Sequence, residues 1–143
     1  MTLKVAAAIA ALILPLAAAA HAATRFTLVE RPLNETVIHR LGDSDSLGDL
    51  IVFSNPLYDA QDRVERGTSS GQCVRTVVGA TWECQFTLRL PAGALVVAGR
   101  YNDEGDSTVA VVGGTGRYAG AHGTLVIHPQ DADHSRYDFV ITL

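Results

Sequence analysis

Cys73 and Cys84 are the only cysteines of the chain. Their chemistry depends on whether an oxidant pairs them or leaves two buried thiols. The spacing favours a bond. A chain reversal centred on Val78-Gly79 sets residues opposite one another when their numbers sum to 157, and 73 + 84 is 157. Facing Cβ atoms across a hairpin lie about 4.5–5.5 Å apart, whereas a disulfide needs about 3.5–4.5 Å. Only a closer, non-hydrogen-bonded pair suits. Other chemistry-bearing residues argue mostly by exclusion. His39, His122, His128 and His134 lack zinc-type spacing, and no metal site is expected. Asn102-Asp103-Glu104-Gly105-Asp106 sets carboxylates around a glycine but is far shorter than a calcium loop, so it reads as a solvated turn. Glycines 113, 114, 116, 120 and 123 miss the dinucleotide fingerprint by one place. They suit a corner where the backbone makes a close approach. No Ser-His-Asp or Cys-His set can be argued from spacing.

The elements that must position these residues begin after residue 22. Lys4 precedes an apolar run from Val5 to Ala20, and Ala20-His21-Ala22 has the form of a cleavage site. The run is shorter than the roughly 20 residues that a spanning helix needs. Residues 1–22 are therefore expected to be a signal peptide, with 23–143 as one domain and no membrane span once the leader is removed. The expected location is secreted or periplasmic. Lys4 is the only lysine, so the domain holds ten Arg against fifteen Asp and Glu, or 10 − 15 = −5. That balance, with no basic cluster, excludes a nucleic-acid backbone as partner.

Strand signals dominate the domain. From Thr81 to Leu90, Trp82, Cys84, Phe86 and Leu88 share one face. From Arg136 to Leu143, Tyr137, Phe139 and Ile141 do the same. Along Gly48 to Asp59, Asp49, Ile51, Phe53, Asn55 and Leu57 alternate onto one face. Extended segments are also expected at 25–31, 64–77, 94–101, 107–112 and 124–128, while 36–41 is ambiguous between strand and helix. Short turns between seven or eight such strands predict a barrel or a sandwich. Closure into a barrel removes exposed edges.

Three blocks carry a family resemblance: Gly48-Asp49-Leu50-Ile51-Val52-Phe53-Ser54-Asn55-Pro56-Leu57-Tyr58-Asp59, then Arg66 to Cys73, then Gly113 to Gly123. In this order they resemble the allene oxide cyclases, and the last block also resembles the dirigent proteins. The resemblance implies an all-β fold, an eight-stranded antiparallel β-barrel of the allene oxide cyclase/dirigent type; the Ala-rich leader and the use of Arg in place of Lys suggest a bacterial, exported member. It implies a homotrimer and an internal cavity for one small hydrophobic ligand, with no cofactor.

The resemblance also implies site residues. Ile51, Phe53 and Asn55 fall where the cyclases line their cavity, Cys73 on a cavity cysteine and Tyr101 on a cavity tyrosine. A Tyr hydroxyl and an Asn amide in an apolar pocket can bind and polarise an oxygen, so Tyr101 and Asn55 are the candidate catalytic pair. The cyclases carry a Glu on their first strand, with an Asn two residues on. Aligning Phe26 with the Tyr that opens that strand puts Thr27 and Val29 in those places. On that alignment, allene oxide cyclisation itself is expected to be absent or poor. The function expected is ligand binding, with or without steering of a cyclisation or coupling. The alternative is a structural or envelope barrel without a ligand.

Overall fold

The computed structural model describes residues 23–143; the expected signal peptide lies outside the described residues. Nine strands follow one another: β1 (Arg25–Glu30), β2 (Glu35–Ile38), β3 (Leu50–Asp59), β4 (Glu65–Val77), β5 (Thr81–Leu90), β6 (Gly93–Asn102), β7 (Ser107–Gly114), β8 (Gly123–Pro129) and β9 (Tyr137–Thr142). From β3 to β9 each strand pairs antiparallel with the next. β9 pairs with β1, and β1 pairs back onto β3. These eight strands close an antiparallel barrel, as expected from the resemblance. The ambiguous segment at 36–41 resolves as β2, a short strand alongside the first half of β3.

Period-2 alternation decides which side chains fill the barrel. Leu57, Phe86, Leu88, Leu95, Val97, Val109, Leu125, Phe139 and Ile141 are buried in one core cluster. Neighbouring inward residues form rows across the strands. Ile51 pairs with Cys73, Cys73 with Cys84, and Cys84 with Gly99. Phe53 pairs with Gly71, Gly71 with Phe86, and Phe86 with Val97. Gly71 has a specific use in its row. A Cβ there would lie 2.4 Å from the Cβ of Phe86. Its absence lets the Phe53 and Phe86 rings meet edge to face with centroids 5.7 Å apart. Cys73 and Cys84 form a disulfide with Cα atoms 4.0 Å apart, the close pair that the hairpin argument requires.

Both ends of the barrel are furnished. At one end the Gly-rich corner folds a short 3-10 turn, Gly116–Tyr118, whose Tyr118 ring stacks on Phe26 of β1. At the other end Arg75 points inward from β4. It binds Asp45 and Asp103, each at 2.7 Å, and lies 3.8 Å over the Trp82 ring. Trp82 Nε1 donates to the same Asp103. A buried guanidinium is tolerated here because both its charge and its donors are matched. Asp49 is fully buried beneath the segment before β3. It accepts from the backbone N–H of Arg40 and Ser46 and from the Ser46 hydroxyl. These donors, led by the Arg40 N–H, hold its carboxyl well below the usual carboxylate range.

Candidate functional site

β1 and β2 lie end to end along one side of β3, and the chain between them departs from the ladder. Pro32 has no N–H to give. Asn55, pointing inward from β3, fills the gap: its Oδ1 accepts from Leu33 N at 3.1 Å and from Asn34 N at 3.0 Å. Arg31 turns outward, where its Nε donates to Asp62 at 2.9 Å and its guanidinium lies 4.5 Å from the Tyr58 ring centre. Glu30, the residue before it, turns inward.

A cavity of about 160 Å³ opens at this break. Ile51, Phe53, Phe86, Ile127, Phe139 and the disulfide make its apolar wall. Glu30, Glu35, Asn55, Tyr101 and Tyr137 are its polar members. Glu35 is exposed and marks the mouth.

Glu30 is 5% exposed, and its Oε1 has no hydrogen-bond partner. Burial pushes its carboxyl up from 4.5 to about 7; weak polar contacts from Ser69 and Asn55 pull the other way. Neither Oε1 nor the Ser69 hydroxyl completes a hydrogen bond. Near neutrality this group therefore exists in both protonation states, the condition for moving a proton.

Tyr137 is the cross-strand neighbour of Glu30. Its hydroxyl lies 2.9 Å from that of Tyr101 and 2.9 Å from His134 Nδ1, while Tyr101 lies 3.2 Å from the same nitrogen. With Nδ1 unprotonated, Tyr137 donates to His134 and Tyr101 donates to Tyr137. His134 holds a left-handed backbone with φ of 56°, uncommon outside glycine. The Asp131 carboxylate supports this turn by accepting from the Ser135 backbone and hydroxyl. Desolvation raises both tyrosines above their ordinary value, and for Tyr137 the Tyr101 hydrogen bond adds to the rise. Both remain neutral donors.

The sequence-derived site residues divide accordingly. Ile51, Phe53, Asn55, Cys73, Cys84 and Tyr101 all reach one cavity. Asn55 and Tyr101 do not hydrogen-bond each other, and the Asn55 oxygen is engaged by the backbone. The first strand requires a correction. Phe26, Leu28 and Glu30 face the barrel, so Thr27 and Val29 do not occupy cavity positions. From Thr27 to Glu30 is a shift of three residues, and an odd shift exchanges the faces of a strand. A carboxyl does reach the cavity from this strand, so Thr27 does not speak against cyclase chemistry.

The family model for allene oxide cyclase matches residues 24–130. The chain belongs to the allene oxide cyclase family. Among solved structures, a pyocyanin demethylase superposes with a TM-score of 0.71 at 25% identity, covering 84% of this chain and 100% of that one. A pterocarpan synthase dirigent protein gives a TM-score of 0.71 at 15% identity, covering 85% of this chain and 84% of that one. A Diels-Alderase from Streptomyces koyangensis gives 0.66 at 16% identity, covering 88% of this chain and 70% of that one. At such identities the last two speak for the fold alone. A shared barrel does not fix the chemistry, which lies in what lines it.

Proposed function

We propose that this protein binds one small hydrophobic molecule in its barrel and steers its cyclisation or isomerisation, with Glu30 as the proton donor. One observation carries the reading: a buried carboxyl with an unpartnered oxygen faces an aromatic-lined cavity. A carboxyl held near neutrality can protonate a ligand oxygen as a bond to it breaks. The Tyr101 hydroxyl, turned from Tyr137 to the ligand, supplies a second donor to that oxygen. Asn55 is a positioning residue, because it ties the segment that follows Glu30. Ile51 and Phe53 shape the pocket. We place the protein outside the cytoplasm, since residues 1–22 have the form of an export leader and the disulfide suits an oxidising compartment. We also propose a homotrimer. The outer face of β7 presents Thr108, Ala110 and Val112 without a charge, and light scattering showing a monomer at micromolar concentration would count against it.

The test supplies an unstable allene oxide and measures the enantiomeric excess of the cyclopentenone formed. Excess with the wild-type protein that falls about a hundredfold or more in rate with Glu30→Gln supports the proposal. Racemic product in both cases removes the allene oxide step. Native mass spectrometry of the exported protein then decides whether any ligand is held. A second reading, a structural or envelope barrel without a ligand, is favoured by size. Ligand pockets usually run to about 300–1,000 Å³, well above the 160 Å³ here. A cavity of about 150 Å³ still holds one aromatic ring, so the reacting part of a ligand fits while the remainder leaves through the mouth.

A further inference from the structure

We propose that the cavity selects flat, conjugated molecules carrying one weakly basic nitrogen or oxygen acceptor, and that it rejects ligands bearing a carboxylate. This rests on the reading that the cavity holds a ligand, and it deepens that reading by naming the chemical class.

The charge inventory of the wall is one-sided. Its two ionisable acids are Glu30 inside and Glu35 at the mouth, and among the described residues no Arg, Lys or His lines it. The nearby cations are committed elsewhere. Arg75 is held by Asp45 and Asp103, and Arg31 points outward to Asp62. An incoming carboxylate would therefore meet two carboxyl groups and no counter-ion, in a site with little water to screen it. A neutral base meets the reverse. Glu30, whose Oε1 has no hydrogen-bond partner, lines the space it would fill.

Shape agrees with charge. Phe86 packs edge to face against Phe53, with ring centres 5.7 Å apart, and tilts against Phe139 at 6.0 Å. The space left beside these rings suits one ring, and a fused second ring would extend into the mouth. The neutral Glu30 O–H donates a hydrogen bond to the ligand lone pair, and no covalent bond breaks. The proton stays on Glu30, because transfer to a weak base would create two charges in a desolvated cavity.

Three probes of nearly equal shape separate the terms: isoquinoline, naphthalene and naphthoate, each titrated into the full disulfide-bonded barrel by calorimetry and ultraviolet absorbance. The pH is chosen so that free isoquinoline is neutral. Isoquinoline is expected to bind about three- to tenfold more tightly than naphthalene and to keep the spectrum of the neutral base. Naphthoate is expected to bind more weakly than naphthalene by about tenfold or more. Glu30→Leu should abolish the preference for isoquinoline over naphthalene. Glu35→Gln should relax the rejection of naphthoate. Naphthoate binding as tightly as naphthalene, or isoquinoline binding no more tightly than naphthalene, would overturn the proposal and leave the binding reading standing. Failure of all three probes to bind would overturn both.

Discussion

Replacing Glu30 with Gln keeps the side-chain shape and removes the proton equilibrium, so stability against pH isolates this one group. The folded-state carboxyl sits at about 7 against 4.5 ordinarily, a difference of 7 − 4.5, about 2.5 pH units. Because the folded value is raised, the folded state holds its proton longer than the unfolded chain does. Below pH 4.5 both states are protonated and the contribution is fully present. Between pH 4.5 and about 7 the unfolded chain ionises first, and stability falls by about 1.4 kcal/mol per pH unit. The loss totals about 3 kcal/mol and is complete once the folded carboxyl has also ionised. Urea denaturation at fixed protein concentration, with the disulfide intact, measures it for both chains. The variant should equal the wild type near pH 4.5 and exceed it by about 3 kcal/mol at pH 8. Asp49, Asp59 and Asp131 have lowered values, so what they contribute is lost on the acid side of this window, in both chains alike. Parallel curves for the two proteins between pH 4.5 and 8 would refute the buried, unpartnered carboxyl.

Three further outcomes are expected. Replacing Cys73 and Cys84 by Ser should lower stability by about 2–3 kcal/mol, since the bond closes a short loop; alkylation of both cysteines in unreduced native protein would contradict the bond itself. Gly71→Ala sets a Cβ 2.4 Å from both the Gln85 carbonyl oxygen and the Phe86 Cβ. It should destabilise by about 1–3 kcal/mol, read from denaturation midpoints, because backbone cannot swing aside. Tyr101→Phe should leave the fold intact, since Tyr137 keeps its bond to His134. It should weaken binding of an oxygenated apolar ligand by about 0.5–1.5 kcal/mol, measured by calorimetry.

The fold was legible wherever one face of a strand is clearly apolar. β5 and β9 alternate without exception across their buried positions, so Cys84, Phe86, Tyr137 and Phe139 could be assigned to the interior from sequence. The same holds for Ile51 to Leu57 on β3, which placed Ile51, Phe53 and Asn55 on one wall. β1 was not legible in this way. Leu28 and Val29 are adjacent, both apolar and both buried, so alternation cannot choose between them, and with that choice goes the direction of Glu30. The usable signal was Phe26, Leu28 and Glu30 read as a single face, at the expense of accepting a buried acid. His134 gave even less warning. It reaches the tyrosines through a left-handed turn in the β8–β9 connection, and such a turn has no periodicity to read.

The break between β1 and β2 links the architecture to the proposed chemistry. A continuous strand from Arg25 to Ile38 would complete the ladder along β3 and seal the wall. Pro32 denies it a donor, and Pro56 withdraws another from the facing strand. Asn55 then satisfies Leu33 and Asn34 in place of a backbone carbonyl. The repaired gap leaves Glu30 at the last ladder position, with its next neighbour turned outward. Alternation turns Arg31 to the far side of the wall, where Asp62 holds it. Were a cation to reach in, the pair would neutralise, and the carboxyl would ionise well below neutrality. The break opens the wall beside the acid while alternation leaves it unpaired, so the carboxyl stays buried, uncharged at mildly acid pH and within reach of a ligand, and each of these conditions is needed for it to give its proton.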